Sequence, residues 1–108
     1  WGHAKDYVRA MWLILQHDTP DDFVCATGKS HSVRDMCKYV FSKFDMNYED
    51  YVVLDKRYLR PEELDELKGD CTRLKESVGW EPDYTFEQMI DEMIDEELKN
   101  EYKLNNRN

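Results

Sequence analysis

The chain has 108 residues, with 24 acidic against 15 basic side chains and a formal net charge of −9. A chain of this length supports one domain with a modest core. Nucleic-acid affinity depends on clustered Lys and Arg that release counterions, so we expect no nucleic-acid partner for so acidic a chain. No apolar run reaches the ~20 residues that a membrane helix needs, which predicts a soluble, cytoplasmic protein without a membrane partner.

The first predicted element is a helix over residues 4–16. Four apolar residues recur at the spacing of one helical face: Val8, Met11, Trp12 and Leu15. Leu13 and Ile14 widen this apolar stripe beyond one face. We therefore expect the first helix to have partners on more than one side.

Two β-rich runs flank the next predicted helix, at residues 23–27 and 51–54. The helix begins after Ser32, which forms a capping box with Asp35, and its apolar stripe continues to Phe44. A helix between two strands makes a crossover connection, which places the strands parallel. The expected fold is therefore α+β or α/β, with helices packed on a small two-stranded parallel sheet.

Two further helices are predicted in the second half of the chain. Asp70 can cap a helix that continues to about Val78, and Gly79 supplies the left-handed residue that ends it. Thr85 and Gln88 form a second capping box ahead of an amphipathic helix that extends to about residue 98. Residues 1–99 are thus expected to fold, and residues 100–108 to form a polar, disordered tail.

Four short strings carry a resemblance to a known family. They are WGHAKDYV at residues 1–8, RPEE at 60–63, GDCT at 69–72 and VGWEP at 78–82. Together they resemble the C-terminal part of GDP-mannose 4,6-dehydratase, an extended short-chain dehydrogenase/reductase. The resemblance implies a lyase of GDP-fucose biosynthesis that uses NADP to convert GDP-mannose to GDP-4-keto-6-deoxymannose. We expect residues 1–99 to be its nucleotide-sugar-binding portion, as a fragment without the Rossmann domain.

Arg60 and Glu63 are the candidate substrate-binding residues. A guanidinium can hold a diphosphate through two parallel hydrogen bonds, and a carboxylate can accept from both hydroxyls of a ribose. From spacing alone, the pair is more often a helix start after Pro61 with an exposed ion pair. The resemblance implies instead that Arg60 and Glu63 contact the GDP part of the substrate, although Glu62 replaces the small residue usual there.

No residue of this chain is predicted to be catalytic, cofactor-binding or metal-binding. Tyr39 and Lys43 have the spacing of the superfamily's catalytic pair, but they lie on the polar side of their helix and lack a Ser or Thr partner. The four glycines are scattered, which leaves no loop for NADP. His3 is expected to form structural hydrogen bonds. The three cysteines, without a Cys-x-x-Cys pair, are expected to be reduced packing residues. We expect the chain to be inactive alone.

Two other functions compete with the role of a substrate-binding portion. The chain could be a free-standing module that binds nucleotide sugars without catalysis, or an acidic interaction protein that docks through its first helix. The expected partners are GDP-mannose, the Rossmann portion of the same enzyme and, as family members form oligomers, a second copy.

Overall fold

A computed structural model describes residues 1–107 of the chain. It contains four α-helices: α1 at Ala4–Leu15, α2 at Val33–Ser42, α3 at Thr72–Val78 and α4 at Phe86–Asn105. Two single 3₁₀ turns lie at Tyr48–Asp50 and Lys56–Tyr58. The chain divides into two compact units, one formed by Trp1–Gly28 with the chain from Gly69 onward, the other by Lys29–Lys68. None of the helices in residues 1–107 has the length and apolar character needed to span a membrane.

The predicted parallel sheet is wrong, because no strand occurs among residues 1–107. Residues 23–27 are irregular and belong to the first unit, whereas residues 51–54 belong to the second. Val53 and Leu54 are 87% and 79% exposed. A β-branched run becomes a strand only when a neighbouring strand takes its backbone hydrogen bonds and its side chains are packed. Residues 51–54 meet neither condition, and residues 23–27 lack a neighbouring strand, so residues 1–107 are helical and not α+β or α/β.

The core of the first unit lies between α1, α3 and the loop that follows α3. Ala10, Leu74 and Trp80 are buried together. Half-buried side chains surround them: Tyr7, Leu13, Ile14, Phe23, Cys25, Cys71 and Val78. The face of α1 that packs on this core, its inner face, thus carries Leu13 and Ile14, the two residues that widen the predicted stripe. The four residues of the stripe itself lie on the opposite face and are between 60% and 80% exposed.

The two predicted capping boxes and the glycine end of α3 are confirmed, but the cap residue at the start of α3 is Cys71, which makes no side-chain cap hydrogen bond, and not Asp70. Ser32 with Asp35 caps α2 and Thr85 with Gln88 caps α4, each as a reciprocal capping box. Gly79 ends α3 at φ 71°, in the left-handed region that only glycine enters without cost. Asp70 accepts the backbone N–H of Thr72 at 2.9 Å, which satisfies a free donor at the start of α3.

Helix α4 is longer than its predicted end near residue 98. It continues to Asn105, so residues 100–105 are helical where a disordered tail was expected. Glu, Leu and Lys predominate from residue 96 to 104, and these side chains lose little rotamer freedom in a helix. The last residue, Asn108, lies outside the described residues.

The second unit is organised around α2 but has no buried residue between Lys29 and Lys68, all of which are described. The ring of Phe41 stacks on that of Tyr51 with centroids 5.5 Å apart, and the Phe41 carbonyl accepts from Met46 N–H at 3.0 Å. Asp45 has φ 52°, which turns the chain after α2. Across both units Cys25, Cys37 and Cys71 are free, half-buried thiols.

Candidate functional site

Arg60 and Glu63 lie in an irregular segment of the second unit, just after the 3₁₀ turn at Lys56–Tyr58. Both residues are exposed, and the chain bends at residues 61–62 without forming a helical turn. Within residues 1–107 no ion pair joins Arg60 to Glu63. The alternative expectation of a helix start with an i,i+3 ion pair is therefore not what the structure shows.

The turn before Arg60 is stabilised by Asp55 and Arg57. The Asp55 carboxylate accepts two hydrogen bonds from Arg57, one from the backbone N–H at 3.0 Å and one from the guanidinium Nη2 at 2.7 Å. These hydrogen bonds from the Arg57 side chain and backbone lower the pKa of Asp55, and the pKa of Arg57 is raised in turn. Arg57 is thus occupied by its own neighbour. No described residue pairs with Arg60, so its guanidinium is available to donate hydrogen bonds to an external anion.

In the segment around Arg60, a basic stretch is followed by an acidic stretch. Basic residues lie at positions 56, 57 and 60, and acidic residues at 62, 63, 65 and 66. The change of sign falls between Arg60 and Glu63. A ligand with an anionic diphosphate next to a neutral diol suits this order, because the anion requires the basic side and the hydroxyls can donate to the acidic side.

A second cluster joins two of the four family-like strings in the first unit. Asp6 is 2% exposed, and its carboxylate accepts Asp83 N–H at 3.0 Å and Tyr84 N–H at 3.1 Å. Its backbone carbonyl accepts Trp80 Nε1 at 2.9 Å. The guanidinium of Arg9 lies 3.5 Å from the same carboxylate. These contacts fasten the loop after α3 to the start of α1.

Sequence reasoning did not single out Asp6, although a signal for it exists. Asp6 precedes Ala10 by four positions and Leu13 by seven, which places it on the inner face of α1. A charged residue on a buried helical face requires hydrogen-bond partners. Arg9 lies only three positions away, but Trp80, Asp83 and Tyr84, which donate hydrogen bonds to Asp6, lie more than 70 positions away, and no local pattern reveals them.

His3 has the structural role that was predicted for it. Its Nδ1 accepts Lys5 N–H at 3.0 Å and caps α1, so Nε2 carries the proton and donates to Glu92 at 2.9 Å. The ring also stacks on Tyr84 at 3.9 Å between centroids. The hydrogen bond from His3 is the main cause that lowers the pKa of Glu92. Both ring nitrogens are engaged, which leaves neither available as a base.

The Tyr39 and Lys43 pair forms a contact different from the one that catalysis requires. The Lys43 ammonium lies over the face of the Tyr39 ring, 4.8 Å from its centroid. This cation–π contact is common for an exposed lysine and a half-buried aromatic residue one helical turn apart. It directs the charge at the ring face, whereas activation of the phenol requires it at the hydroxyl.

Each of the four helices has one of its first N–H groups hydrogen-bonded to a side chain. A pyrophosphate is typically bound by free N–H groups at a helix N-terminus. Here His3, Ser32 and Thr85 already accept from the first turns of α1, α2 and α4, and Asp70 does so for α3. Among residues 1–107, no group of three or more His, Cys, Asp or Glu side chains is arranged to hold a metal ion.

Comparison with known proteins gives one consistent set of relatives. The chain is 48% identical over 99 residues to GDP-mannose 4,6 dehydratase 1 of Arabidopsis thaliana, covering 92% of this chain and 27% of that protein. It is 40% identical over 111 residues to the GDP-mannose 4,6 dehydratase of Homo sapiens, covering 87% and 30%. The corresponding protein of Vibrio cholerae is 37% identical over 126 residues, covering 92% and 34%.

The family model described as GDP-mannose 4,6 dehydratase matches residues 1–93. This match includes all four strings on which the resemblance was based. The chain belongs to the GDP-mannose 4,6-dehydratase family. It spans between about a quarter and a third of the length of the relatives given above.

Proposed function

We propose that this chain is the GDP-sugar-binding part of a GDP-mannose 4,6-dehydratase, with Arg60 and Glu63 as the residues that bind GDP. Family membership supports the class of substrate. The observation that carries the assignment of residues is the contrast between two neighbouring arginines. Arg57 is paired with Asp55, whereas Arg60 is exposed and has no pairing carboxylate among the described residues.

In this proposal the two side chains have separate tasks. The Arg60 guanidinium donates two parallel hydrogen bonds to oxygens of the diphosphate, and the Glu63 carboxylate accepts from the ribose hydroxyls. We assign only the binding of GDP to these residues and no step of the dehydration. In the whole enzyme the hydride transfers require NADP, which would be bound by the part of the dehydratase fold outside the match.

Titration calorimetry with GDP tests the role of Arg60. Arg60→Ala removes a charge-assisted contact worth ~1.5–3 kcal/mol, so we expect GDP to bind roughly ten- to a hundred-fold more weakly. Arg57→Ala is the matched control. It removes the same charge three positions before Arg60, but the Arg57 side chain is already paired with Asp55 and is not proposed to bind GDP. Equal affinities for the two variants would contradict the assignment of Arg60.

The same titration with 2′-deoxy-GDP tests the role of Glu63. Glu63→Gln should weaken the binding of GDP more than that of 2′-deoxy-GDP, because the deoxy compound already lacks one of the two hydroxyls that the carboxylate accepts from. Glu62→Gln is the matched control at the neighbouring position. A loss of the same size for both nucleotides would show that Glu63 does not accept from the 2′-hydroxyl and would contradict its proposed contact with both hydroxyls.

A stand-alone module for nucleotide sugars or for protein interaction is the second candidate. The exposed apolar face of α1 is the observation that favours the protein-interaction form. If the unmodified chain gives no heat with GDP at millimolar concentration, the protein-interaction role becomes the better explanation. A cytoplasmic location stays a prediction from the sequence.

A further inference from the structure

The ring of Tyr58 is the aromatic group closest in the chain to Arg60. Tyr58 is the last residue of the 3₁₀ turn at Lys56–Tyr58 and is 80% exposed. The guanidinium of Arg57 lies 5.8 Å from the centroid of this ring, at the distance of a cation–π contact. Because Arg57 is itself held by Asp55, the contact orients the ring, and most of the ring surface stays open to a ligand.

The backbone directs the side chains of Tyr58 and Arg60 to the same side of the chain. Leu59, between them, has φ −69° and ψ 130°, which is extended backbone. Successive side chains alternate in extended backbone, so two positions apart they share a side at a separation of about 7 Å. The bend at residues 61–62 follows Arg60 and does not separate it from Tyr58. A sugar nucleotide held by Arg60 is long enough to reach the Tyr58 ring.

The order of three side chains matches the order of the groups in a GDP-sugar. In such a ligand the diphosphate lies between the ribose and the hexose. Under the proposed function Glu63 accepts from the ribose and Arg60 binds the diphosphate, so the hexose extends from Arg60 in the direction away from Glu63. Along the chain this direction leads to Tyr58.

We propose that Tyr58 binds the hexose of a GDP-sugar by packing its ring against the sugar. One face of a pyranose presents C–H groups between its hydroxyls, and an aromatic ring offers them a flat apolar surface. The contact with Arg57 already orients the ring, which reduces the conformational entropy lost on binding. The inference rests on the proposed function and adds to it a residue that distinguishes a GDP-sugar from GDP.

Titration calorimetry with GDP and with GDP-mannose tests the role of Tyr58. Tyr58→Ala removes the surface on which the hexose packs, so we expect GDP-mannose to bind roughly ten-fold more weakly and GDP to bind within about two-fold of the natural chain. Tyr58→Phe keeps the ring and should retain most of the affinity for GDP-mannose. Substitution at so exposed a position should leave the fold intact.

Leu59→Ala is the matched control. Leu59 is adjacent to Tyr58 and 56% exposed, but its side chain projects to the opposite side of the extended chain. The affinities of Leu59→Ala for GDP and for GDP-mannose should both stay within about two-fold of the natural values.

Two results would overturn the role of Tyr58. An equal loss of affinity for GDP and GDP-mannose in Tyr58→Ala would mean that the ring contacts the nucleotide and not the hexose. Unchanged affinity for both ligands would mean that the ring contacts neither of these groups.

The same titrations separate this inference from the proposed function. Arg60→Ala should weaken GDP and GDP-mannose to the same extent, because both ligands carry the diphosphate. If Arg60→Ala weakens both ligands and Tyr58→Ala weakens neither, the role of Tyr58 fails alone. If the natural chain binds neither ligand, or if Arg60→Ala changes neither affinity, the proposed function fails and the role of Tyr58 fails with it.

Discussion

Asp6 shows at the scale of one residue how a charge is accommodated in a small core. Asp6 is only 2% exposed, and an unpaired charge so buried would be costly. Two backbone N–H groups and the Arg9 guanidinium compensate for the lost water. Hydrogen bonds to a charged acceptor are stronger than neutral ones, so a single side chain can hold the loop after Trp80 in place.

Replacement of Asp6 should therefore be strongly destabilising. Asp6→Ala leaves the N–H groups of Asp83 and Tyr84 without an acceptor and the Arg9 charge without its buried partner, which we expect to cost about 3 kcal/mol. Urea unfolding followed by tryptophan fluorescence, to which the exposure of the buried Trp80 contributes, measures this loss.

Asp83→Ala is the control for Asp6. It removes an exposed carboxylate that also pairs with Arg9 at 3.4 Å but leaves the Asp83 N–H in place, so its cost should stay within about 1 kcal/mol. A similar loss for both variants would mean that the ion pair with Arg9, and not the backbone contacts of Asp6, stabilises the loop.

At the scale of elements, short-range chemistry determines where helices begin. The reciprocal hydrogen bonds of Ser32 and Asp35 start α2, and those of Thr85 and Gln88 start α4, because each pair spans only one turn of chain. The end of α4 was not predicted as well as its start. Helix α4 continues to Asn105 through residues with good helix propensity, past the last side chain that its predicted apolar stripe contains.

The cap of α2 should depend on pH through Asp35. Hydrogen bonds from Ser32 lower the pKa of the Asp35 carboxyl below its ordinary value. A carboxyl with a lowered pKa in the folded state contributes stability above its ordinary pKa of about 4 and loses it as the pH falls through the lower folded value. The difference in helicity between the natural chain and Asp35→Ala should therefore be largest near pH 7 and shrink below about pH 4.

Circular dichroism between pH 7 and pH 2 measures this difference. Asp65→Ala, an exposed residue outside any helix of the same unit, serves as the control. A gap between the natural chain and Asp35→Ala that does not change with pH would exclude the carboxylate as the source of the effect.

At the scale of the whole molecule, the two units differ in what they bury. The unit from Trp1–Gly28 and the chain after Gly69 has Leu74 and Trp80 fully buried at its centre. The unit Lys29–Lys68, fully described, has no buried residue. Burial of apolar area is the main term that opposes chain entropy, so the second unit has little free energy with which to resist opening.

Hydrogen exchange should reveal this difference. We expect amides of α2 to exchange at least ten-fold faster, relative to their intrinsic rates, than amides of α1 that face the core, because local opening requires less free energy where few apolar contacts break. Mass spectrometry of the exchanged peptides checks this. Uniform protection across both helices would show that the chain opens as a single cooperative unit.

Part of the candidate site could be predicted from the sequence, and part could not. The Arg60, Pro61 and Glu63 string was found by resemblance, and its exposure leaves it accessible to a ligand. The pairing of Arg57 with Asp55 lies within three residues and gives the contrast that supports Arg60, but neither residue belongs to a recognised string. The role of Asp6 depends on contacts across more than 70 positions, which spacing does not encode.

The sequence by itself determined the family, the helix starts and the acidic character of this protein, because these depend on residues within one or two turns of each other or on a simple count. Only the tertiary structure decided that residues 23–27 and 51–54 form no sheet and which face of α1 is buried. A strand requires a partner strand, and a helix with two apolar faces buries the one that finds a neighbour. Both outcomes depend on distant segments, which local pattern does not contain.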